Sequence, residues 1–342
     1  MKANGAEGAR AVMVAPAGWA AVLRACSRKL TLVLPAVIAL HLPAGRASAQ
    51  TQSGVLEPHR VSASAWYVEG LTALGTPANR NFISNAGFVV TAEGVVVIDA
   101  LGSPQLARDL LAVIARITDK PVTHVIVTHY HADHIYGLQE FRRVGAKVIA
   151  HQAAREYLNS ETAAARLRVS RIELAPWIDA DTRLVAADEW IEGPRELVVG
   201  GVRLLLQPVG PAHTPEDLVV FFPAEKVLFA GDIVFRSRVP FVGQADSGQW
   251  IKSLNDILAF DAQAIVPGHG PASTSAREDV TLTRDYLTYL RETMGQAARE
   301  LEPFDEAYGK ADWSRFEHLP LFRAANRMNA YNTYLLLERE SK

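Results

Sequence analysis

The sequence predicts an α+β protein in which short buried strands alternate with helices. Val95–Ile98 is an unbroken apolar run, and residues 123–127 are predicted to form a second buried strand. Between them, apolar side chains at helical spacing predict a helix over Pro104–Ile117. The second half of the chain repeats this style, and its polar candidate residues again follow apolar runs. Strand, helix and strand in this order are typical of βα units packed on a sheet.

In the first half, three further strands are predicted over residues 66–68, 81–90 and 147–150. Residues 81–90 are expected to pair with Val95–Ile98 around the turn at residues 91–94. A loop is expected over residues 71–79, and a short helix over 137–144. Residues 152–184 are predicted to be mostly helical, with a break at Pro176 and Trp177.

In the second half, residues 197–199 and 202–207 flank Gly200 and Gly201, which is a hairpin pattern. Further strands are predicted at Leu218–Phe222, 226–230 and 264–266. Two long amphipathic helices are predicted over residues 277–300 and 324–340. Their aromatic and Met side chains at helical spacing indicate core packing.

The charge of the chain is nearly balanced, with 35 Lys and Arg against 37 Asp and Glu among 342 residues. No cluster of basic residues resembles a nucleic-acid footprint. We therefore expect a small-molecule substrate and no nucleic-acid partner. The oligomeric state is left open.

The first 49 residues are typical of an export signal. Arg24, Arg28 and Lys29 precede an apolar run at 30–42, and residues 47–49 fit a small-residue cleavage site. The run is too short to span a membrane, so we expect no membrane association after cleavage. Residues 50–342 are then one domain, periplasmic or secreted, with 29 basic and 36 acidic side chains. It has no thiol, because the only cysteine is Cys26.

Residues 128–134 are the strongest functional signal in the chain. His129 and His131 are two residues apart, so both point the same way if the backbone stays extended beyond the strand. Asp133 and His134 then face a second position, so the stretch offers two metal sites. Imidazole and carboxylate suit zinc, iron or manganese. Further candidate ligands follow predicted strands downstream: His213, Asp232 and His269.

Together these residues resemble the metallo-β-lactamase superfamily over residues 82–270. The pattern His-x-His-x-Asp-His, a later His, a later Asp and a final His is complete. The resemblance implies a four-layer αββα sandwich with two Zn²⁺ at one edge; iron or manganese remains an alternative. It assigns His129, His131 and His213 to the first metal, and Asp133, His134 and His269 to the second, with Asp232 bridging.

Asp232 is informative about substrate, since several β-lactamases of this superfamily carry Cys or Ser there. An Asp at this position resembles the glyoxalase II, lactonase and phosphodiesterase branches. Residues 213–220 and 228–232, however, also resemble the β-lactamase branch and exported hydrolases associated with quinoprotein and sulfur-oxidation systems.

The resemblance implies an exported dinuclear zinc hydrolase in which a bridging hydroxide attacks an ester, thioester, lactone or β-lactam carbonyl, with Asp133 as the catalytic residue that orients the nucleophile. One alternative is a mononuclear iron sulfur dioxygenase. A non-catalytic periplasmic metal-binding module is the third reading.

Several further side chains are candidates for supporting roles. Asp99, which follows a strand, can orient a ligand or cap a helix. His124 and His151 can do the same or lie satisfied in the core. Arg236 and Arg238 can bind a substrate carboxylate or be solvated. Three segments are expected to shape the substrate site: residues 71–79, 160–184 and 236–250.

Overall fold

A computed structural model describes residues 56–340, which form two β-sheets with helices on the outer side of each. The predicted export signal lies outside the described residues. Within residues 56–340, no helix is long and apolar enough to cross a membrane.

The first sheet has seven strands that neighbour one another in chain order. They are β1 (Pro58–Arg60), β2 (Ala65–Val68), β3 (Ala86–Val90), β4 (Val95–Ile98), β5 (Val122–Ile126), β6 (Lys147–His151) and β7 (Glu189–Ile191). Strands β1 to β4 are antiparallel, and β4 to β7 are parallel.

The second sheet has five strands in the spatial order β12-β11-β10-β9-β8. They are β8 (Arg195–Val199), β9 (Val202–Pro208), β10 (Leu218–Phe222), β11 (Val227–Phe235) and β12 (Ala264–His269). Strands β11 and β12 are parallel, whereas the other neighbours are antiparallel.

Helices cover both outer faces. On the first sheet side they are α1 (Pro104–Ile117), α2 (Ala132–Ile135), α3 (Leu138–Arg143), α4 (Ala154–Leu158) and α5 (Glu161–Glu173). The later helices are α6 (Ser247–Asp256), a short 3₁₀ helix (Ile257–Phe260), α7 (Ala276–Arg299), α8 (Phe304–Lys310) and α9 (Phe322–Glu340).

Helix α1 illustrates how the sequence determines these elements. Ser103 caps it by accepting a hydrogen bond from the Leu106 amide, and Pro104 occupies the first turn, where no amide hydrogen is needed. Leu106, Leu110 and Ile114 recur at helical spacing and are buried against the first sheet.

Three apolar clusters separate four layers, which confirms the predicted αββα sandwich. In β4, Val95 and Val97 pack toward the α1 side, whereas Val96 and Ile98 face the second sheet. The same alternation in β11 divides its side chains between the middle cluster and the α7 side. Because strand side chains alternate with period two, strands buried on both faces appear as continuous apolar runs.

Several element boundaries differ from the sequence-based expectation. Strand β3 begins at Ala86 rather than residue 81, because Arg80 and Asn81 have φ values of 58° and 60° that bend the chain into a loop. The predicted helix over 152–184 ends at Glu173, and the remainder is loop. The short elements β1, β7, α2, α6, α8 and the 3₁₀ helix were not predicted.

Candidate metal centre

Strand β5 leads directly into the first four candidate ligands. His129 and His131 follow it in extended backbone, and their ring centroids lie 4.7 Å apart. Tyr130 between them points the opposite way, and its buried hydroxyl donates to the Val185 carbonyl at 3.2 Å. The expected alternation of side chains is therefore present, and it turns both imidazoles toward the same point.

Asp133 and His134 lie in α2, a single helical turn that begins directly after His131. The change from extended to helical backbone turns these two side chains toward a second point, as the sequence predicts. His134 Nε2 lies 3.6 Å from Asp133 Oδ2.

The loop between β9 and β10 carries His213, and two carboxylates hold this loop. Asp217 accepts hydrogen bonds from the amide and hydroxyl of Thr214, at 2.7 and 2.8 Å. Glu216 reaches across to accept from the Tyr130 amide at 3.1 Å. The two loops that carry histidines are thus joined to each other.

Asp232 and His269 come from the parallel strands β11 and β12. The prediction that Asp232 follows a strand end is wrong: β11 continues to Phe235, because β12 supplies a parallel partner beyond the apolar run. The register is irregular between Phe229 and Phe235, which aims the Asp232 side chain out of the core. His269 is the last residue of β12.

The structure brings all seven predicted ligands together, as two groups. Within each group the candidate ligand atoms lie within 4.8 Å of one another. The first group is His129, His131, His213 and Asp232, and the second is Asp133, His134 and His269.

Distances in both groups fit metal coordination. Four ligands at about 2.0–2.1 Å from a tetrahedral ion are roughly 3.3–3.4 Å apart. In the first group, His213 Nε2 lies 3.0 Å from His131 Nδ1 and 3.3 Å from Asp232 Oδ2. In the second, His269 Nε2 lies 3.4 Å from Asp133 Oδ2. Asp232 approaches that group as well, since its Oδ1 is 3.2 Å from His134 Nε2.

Several of these atoms are buried without a hydrogen-bond partner among the described residues. They are His129 Nε2, His134 Nε2 and Asp232 Oδ1. Unpaired buried polar atoms are costly. A cation between them would satisfy all three, so the donor set fits bound metal.

Neighbouring groups fix the orientation of the imidazoles. His134 Nδ1 donates to Asp99 Oδ2 at 2.9 Å, and His269 Nδ1 donates to the Ile83 carbonyl at 2.7 Å. In each ring the proton on Nδ1 leaves the Nε2 lone pair facing the cluster. Asp99 also accepts from the Thr128 amide and hydroxyl, both at 2.8 Å. Asp99 therefore orients a candidate ligand, and it caps no helix, since Ser103 caps α1.

Burial keeps the first-group imidazoles neutral. It lowers the pKa of His129 well below its ordinary value, lowers the pKa of His131, and lowers the pKa of His213 to about 3. Neutral imidazole is the form that binds metal.

Opposite charges dominate in the second group and at Asp232, which lies beside it. Burial alone would lower the pKa of His134, but the carboxylates of Asp232, Asp133 and Asp99 raise it well above its ordinary value. Burial alone would raise the pKa of Asp232, but His269 and His134 hold it well below the usual range. A proton and a metal ion therefore compete for the same lone pair on His134.

Three of the proposed supporting residues lie elsewhere. His124 contacts Thr123, and His151 contacts the Glu192 carbonyl, so neither touches a candidate ligand. Arg236 forms an ion pair with Asp279 of α7 at 2.8 Å. Two supporting residues, Glu216 and Thr128, were not predicted, although both lie within the motifs at residues 213–220 and 128–134.

A cavity of about 610 Å³ opens beside the cluster. All three segments expected to shape the substrate site contribute to it, with Leu74 from the first, Arg166 from the second and Arg238 from the third. Other lining residues include His131, Asp133, Asp232 and His269. The candidate metal centre is thus accessible to a small molecule.

Comparisons with known proteins agree with this fold. Residues 79–269 match the family described as the metallo-beta-lactamase superfamily. Metallo-beta-lactamase IND-1 of Chryseobacterium indologenes is 26% identical over 228 residues, which is 65% of this chain and 85% of that protein. A solved metallo-beta-lactamase from Pontibacter korlensis superposes with a TM-score of 0.54 at 24% identity, covering 68% of this chain and 99% of that one.

A linear primary-alkylsulfatase of Pseudomonas sp. (strain ATCC 19151) is 24% identical over 236 residues. The match covers 58% of this chain and 44% of the alkylsulfatase, so the chain spans less than half the length of that relative.

The fold and the cluster define a class of protein, an αββα sandwich with a His and Asp metal-binding cluster. The chain belongs to the metallo-beta-lactamase superfamily.

Proposed function

We propose that the protein is an exported hydrolase that holds two zinc ions and cleaves a small ester, thioester, lactone or β-lactam. The observation that carries this proposal is the pair of ligand groups beside an open cavity, with Asp232 of the first group 3.2 Å from His134 of the second. His129, His131 and His213 would hold one ion, and Asp133, His134 and His269 the other, with Asp232 between them.

Bound zinc would lower the pKa of a coordinated water and polarise a substrate oxygen. The residues of the chain supply the rest. The Asp133 side chain is 17% exposed, so its carboxylate reaches cavity water. Burial alone would raise the pKa of Asp133, but His134 and His269 lower it, so the carboxylate is ionised at neutral pH. Asp133 can then accept a hydrogen bond from the attacking water and orient it toward the substrate.

A sulfate ester is a second candidate substrate. The alkylsulfatase relative supports it, and so does Arg238, whose Nη1 lies 3.2 Å from His269 Nδ1 at the edge of the cluster. Guanidinium groups bind the oxygens of tetrahedral oxyanions well.

The test is metal content per chain, measured by elemental mass spectrometry on protein purified from the periplasmic fraction without added metal. We expect about two zinc ions per chain. The intact mass of the same sample should correspond to cleavage after Ala49. The metal-loaded protein is then screened with lactams, lactones, thioesters and sulfate esters.

One iron and little zinc per chain would contradict the dinuclear hydrolase and favour oxygen chemistry. Two zinc ions with no hydrolysis of any bond class in the screen would favour a metal-binding module instead.

A further inference from the structure

Arg238 is a buried cation beside the candidate metal centre. Its side chain lines the cavity, although only 6% of the residue is exposed. A guanidinium has five N–H donors and stays charged at all relevant pH values. Burying such a group is costly unless it is paired.

The neighbours of Arg238 leave most of these donors unused. Nε donates to the Val239 carbonyl at 3.3 Å. Nη1 faces His269 Nδ1 at 3.2 Å, but that nitrogen carries the proton it donates to Ile83 and offers no lone pair. Among residues 56–340, no carboxylate oxygen lies within 4.0 Å of Arg238.

Arg236, two residues earlier, shows the contrasting arrangement. Its guanidinium is paired with Asp279, and it does not line the cavity. Arg236 thus has a direct carboxylate partner, whereas Arg238 lines the cavity with only the more distant charges of Asp232 and Asp133 and the Phe235 ring, 5.5 Å from its guanidinium carbon.

Exposed apolar side chains form part of the mouth of the cavity, beside the ion pair of Arg166 with Glu173. Leu74 is 60% exposed and Phe241 is 39% exposed, and both line the cavity. Ile83, Tyr157 and Leu174 extend the apolar wall inward. Exposed apolar side chains around a cavity are typical of a surface that binds an apolar ligand.

We propose that the substrate is an amphiphilic oxyanion. Its carboxylate or sulfate group binds the Arg238 guanidinium, and its apolar chain lies along Leu74 and Phe241. This inference rests on the proposed hydrolase function and specifies its substrate class.

The test is calorimetric binding of octanoate, octyl sulfate and neutral octanamide to metal-loaded protein. Replacing Arg238 with Met should weaken octanoate binding roughly 10- to 100-fold, because a hydrogen-bonded charge is lost. Octanamide binding should not change. Arg238→Lys should restore part of the affinity, and the matched variant Arg236→Met should bind octanoate like the wild type.

Chain length tests the apolar wall. In the wild type, octanoate should bind more tightly than acetate, and Phe241→Ser should reduce that difference several-fold. Comparing octanoate with octyl sulfate shows which oxyanion the site prefers.

Two results would overturn the proposal. One is unchanged octanoate affinity in Arg238→Met. The other is an equal loss of octanoate and octanamide binding, which would make Arg238 a structural residue. Metal content and unfolding midpoints are measured for every variant. Because binding requires no turnover, a failed hydrolysis screen does not affect this test.

Discussion

Asp99 joins two parts of the candidate metal centre through one carboxylate. One oxygen accepts from the Thr128 amide, and the other accepts from the Thr128 hydroxyl and from His134 Nδ1. Thr128 immediately precedes His129, so Asp99 orients the strand end and the imidazole together. Its φ of 64° is unusual for a residue other than glycine, and such strain persists where surrounding contacts enforce it.

We expect Asp99→Asn to weaken metal binding in the second group by about 10- to 100-fold. An amide would present N–H to His134 Nδ1 and favour the tautomer whose Nε2 carries the proton. Asn tolerates the left-handed backbone, so the variant adds no strain. Affinities of both sites are measured by competition with a chromophoric chelator.

Asp261→Asn is the matched control, because Asp261 also has a positive φ, 49°, and pairs with exposed Lys226 away from the cluster. Asp99→Asn with wild-type affinity at both sites would show that Asp99 does not act on His134.

At the scale of elements, the close approach of β11 and β12 depends on Gly268. A Cβ added there would lie 1.9 Å from Asp232 Oδ1 and 2.7 Å from the Gly231 carbonyl carbon. The second of these atoms is backbone and cannot rotate away. Only glycine allows the strand that carries His269 to pass beside Asp232.

Gly268→Ala should therefore separate the two strands, with a loss of about 1–3 kcal/mol in the free energy of unfolding and a reduced metal content. Urea unfolding of the metal-free protein and elemental analysis measure the two effects.

Gly309→Ala in α8 is the control, because no described atom beyond its chain neighbours and the backbone of its own helix lies within 4 Å of the added Cβ. It should be neutral or stabilise the protein by up to about 1 kcal/mol. Equal stability of the two variants would contradict the packing argument.

Strand β11 also shows what the sequence could predict. The apolar run before Gly231 predicted the strand, and the spacing of His129, His131, Asp133 and His134 predicted two groups of candidate ligands, because both are local patterns. The continuation of β11 depends on its pairing with β12, which no local pattern reveals. The different positions of Arg236 and Arg238 depend on Asp279, 43 residues away in α7.

At the scale of the whole molecule, α9 supports the loop that carries Arg238 and Phe241. Asn329 in α9 is fully buried, accepts from the Val242 amide at 2.9 Å and donates to the Pro240 carbonyl at 2.7 Å. Its amide also donates to the Tyr286 hydroxyl of α7 at 3.0 Å. One side chain thus connects two C-terminal helices to the cavity.

We expect Asn329→Ala to raise KM several-fold for whichever substrate the screen identifies, with metal content unchanged. It should also lower the free energy of unfolding by about 1–3 kcal/mol, since the buried Val242 amide and Pro240 carbonyl lose their partner. Steady-state kinetics and urea unfolding measure the two effects.

Asn326→Ala is the matched control. Asn326 is equally buried in α9 but bonds to Tyr286 and Tyr308 rather than to the loop. It should destabilise the protein with little effect on KM. An equal rise of KM in both variants would indicate general loosening of the helix.

The connection through Asn329 means that the candidate ligands and the support of the cavity loop lie in different parts of the chain. The family match ends at residue 269, where the candidate ligands also end, but the support for the cavity loop comes from residues beyond it. Changes in α9 can therefore alter which molecules are accepted while every ligand stays in place. Selection for a new substrate can act on the C-terminal helices and leave the candidate metal ligands unchanged. Engineering of this protein can begin with these helices.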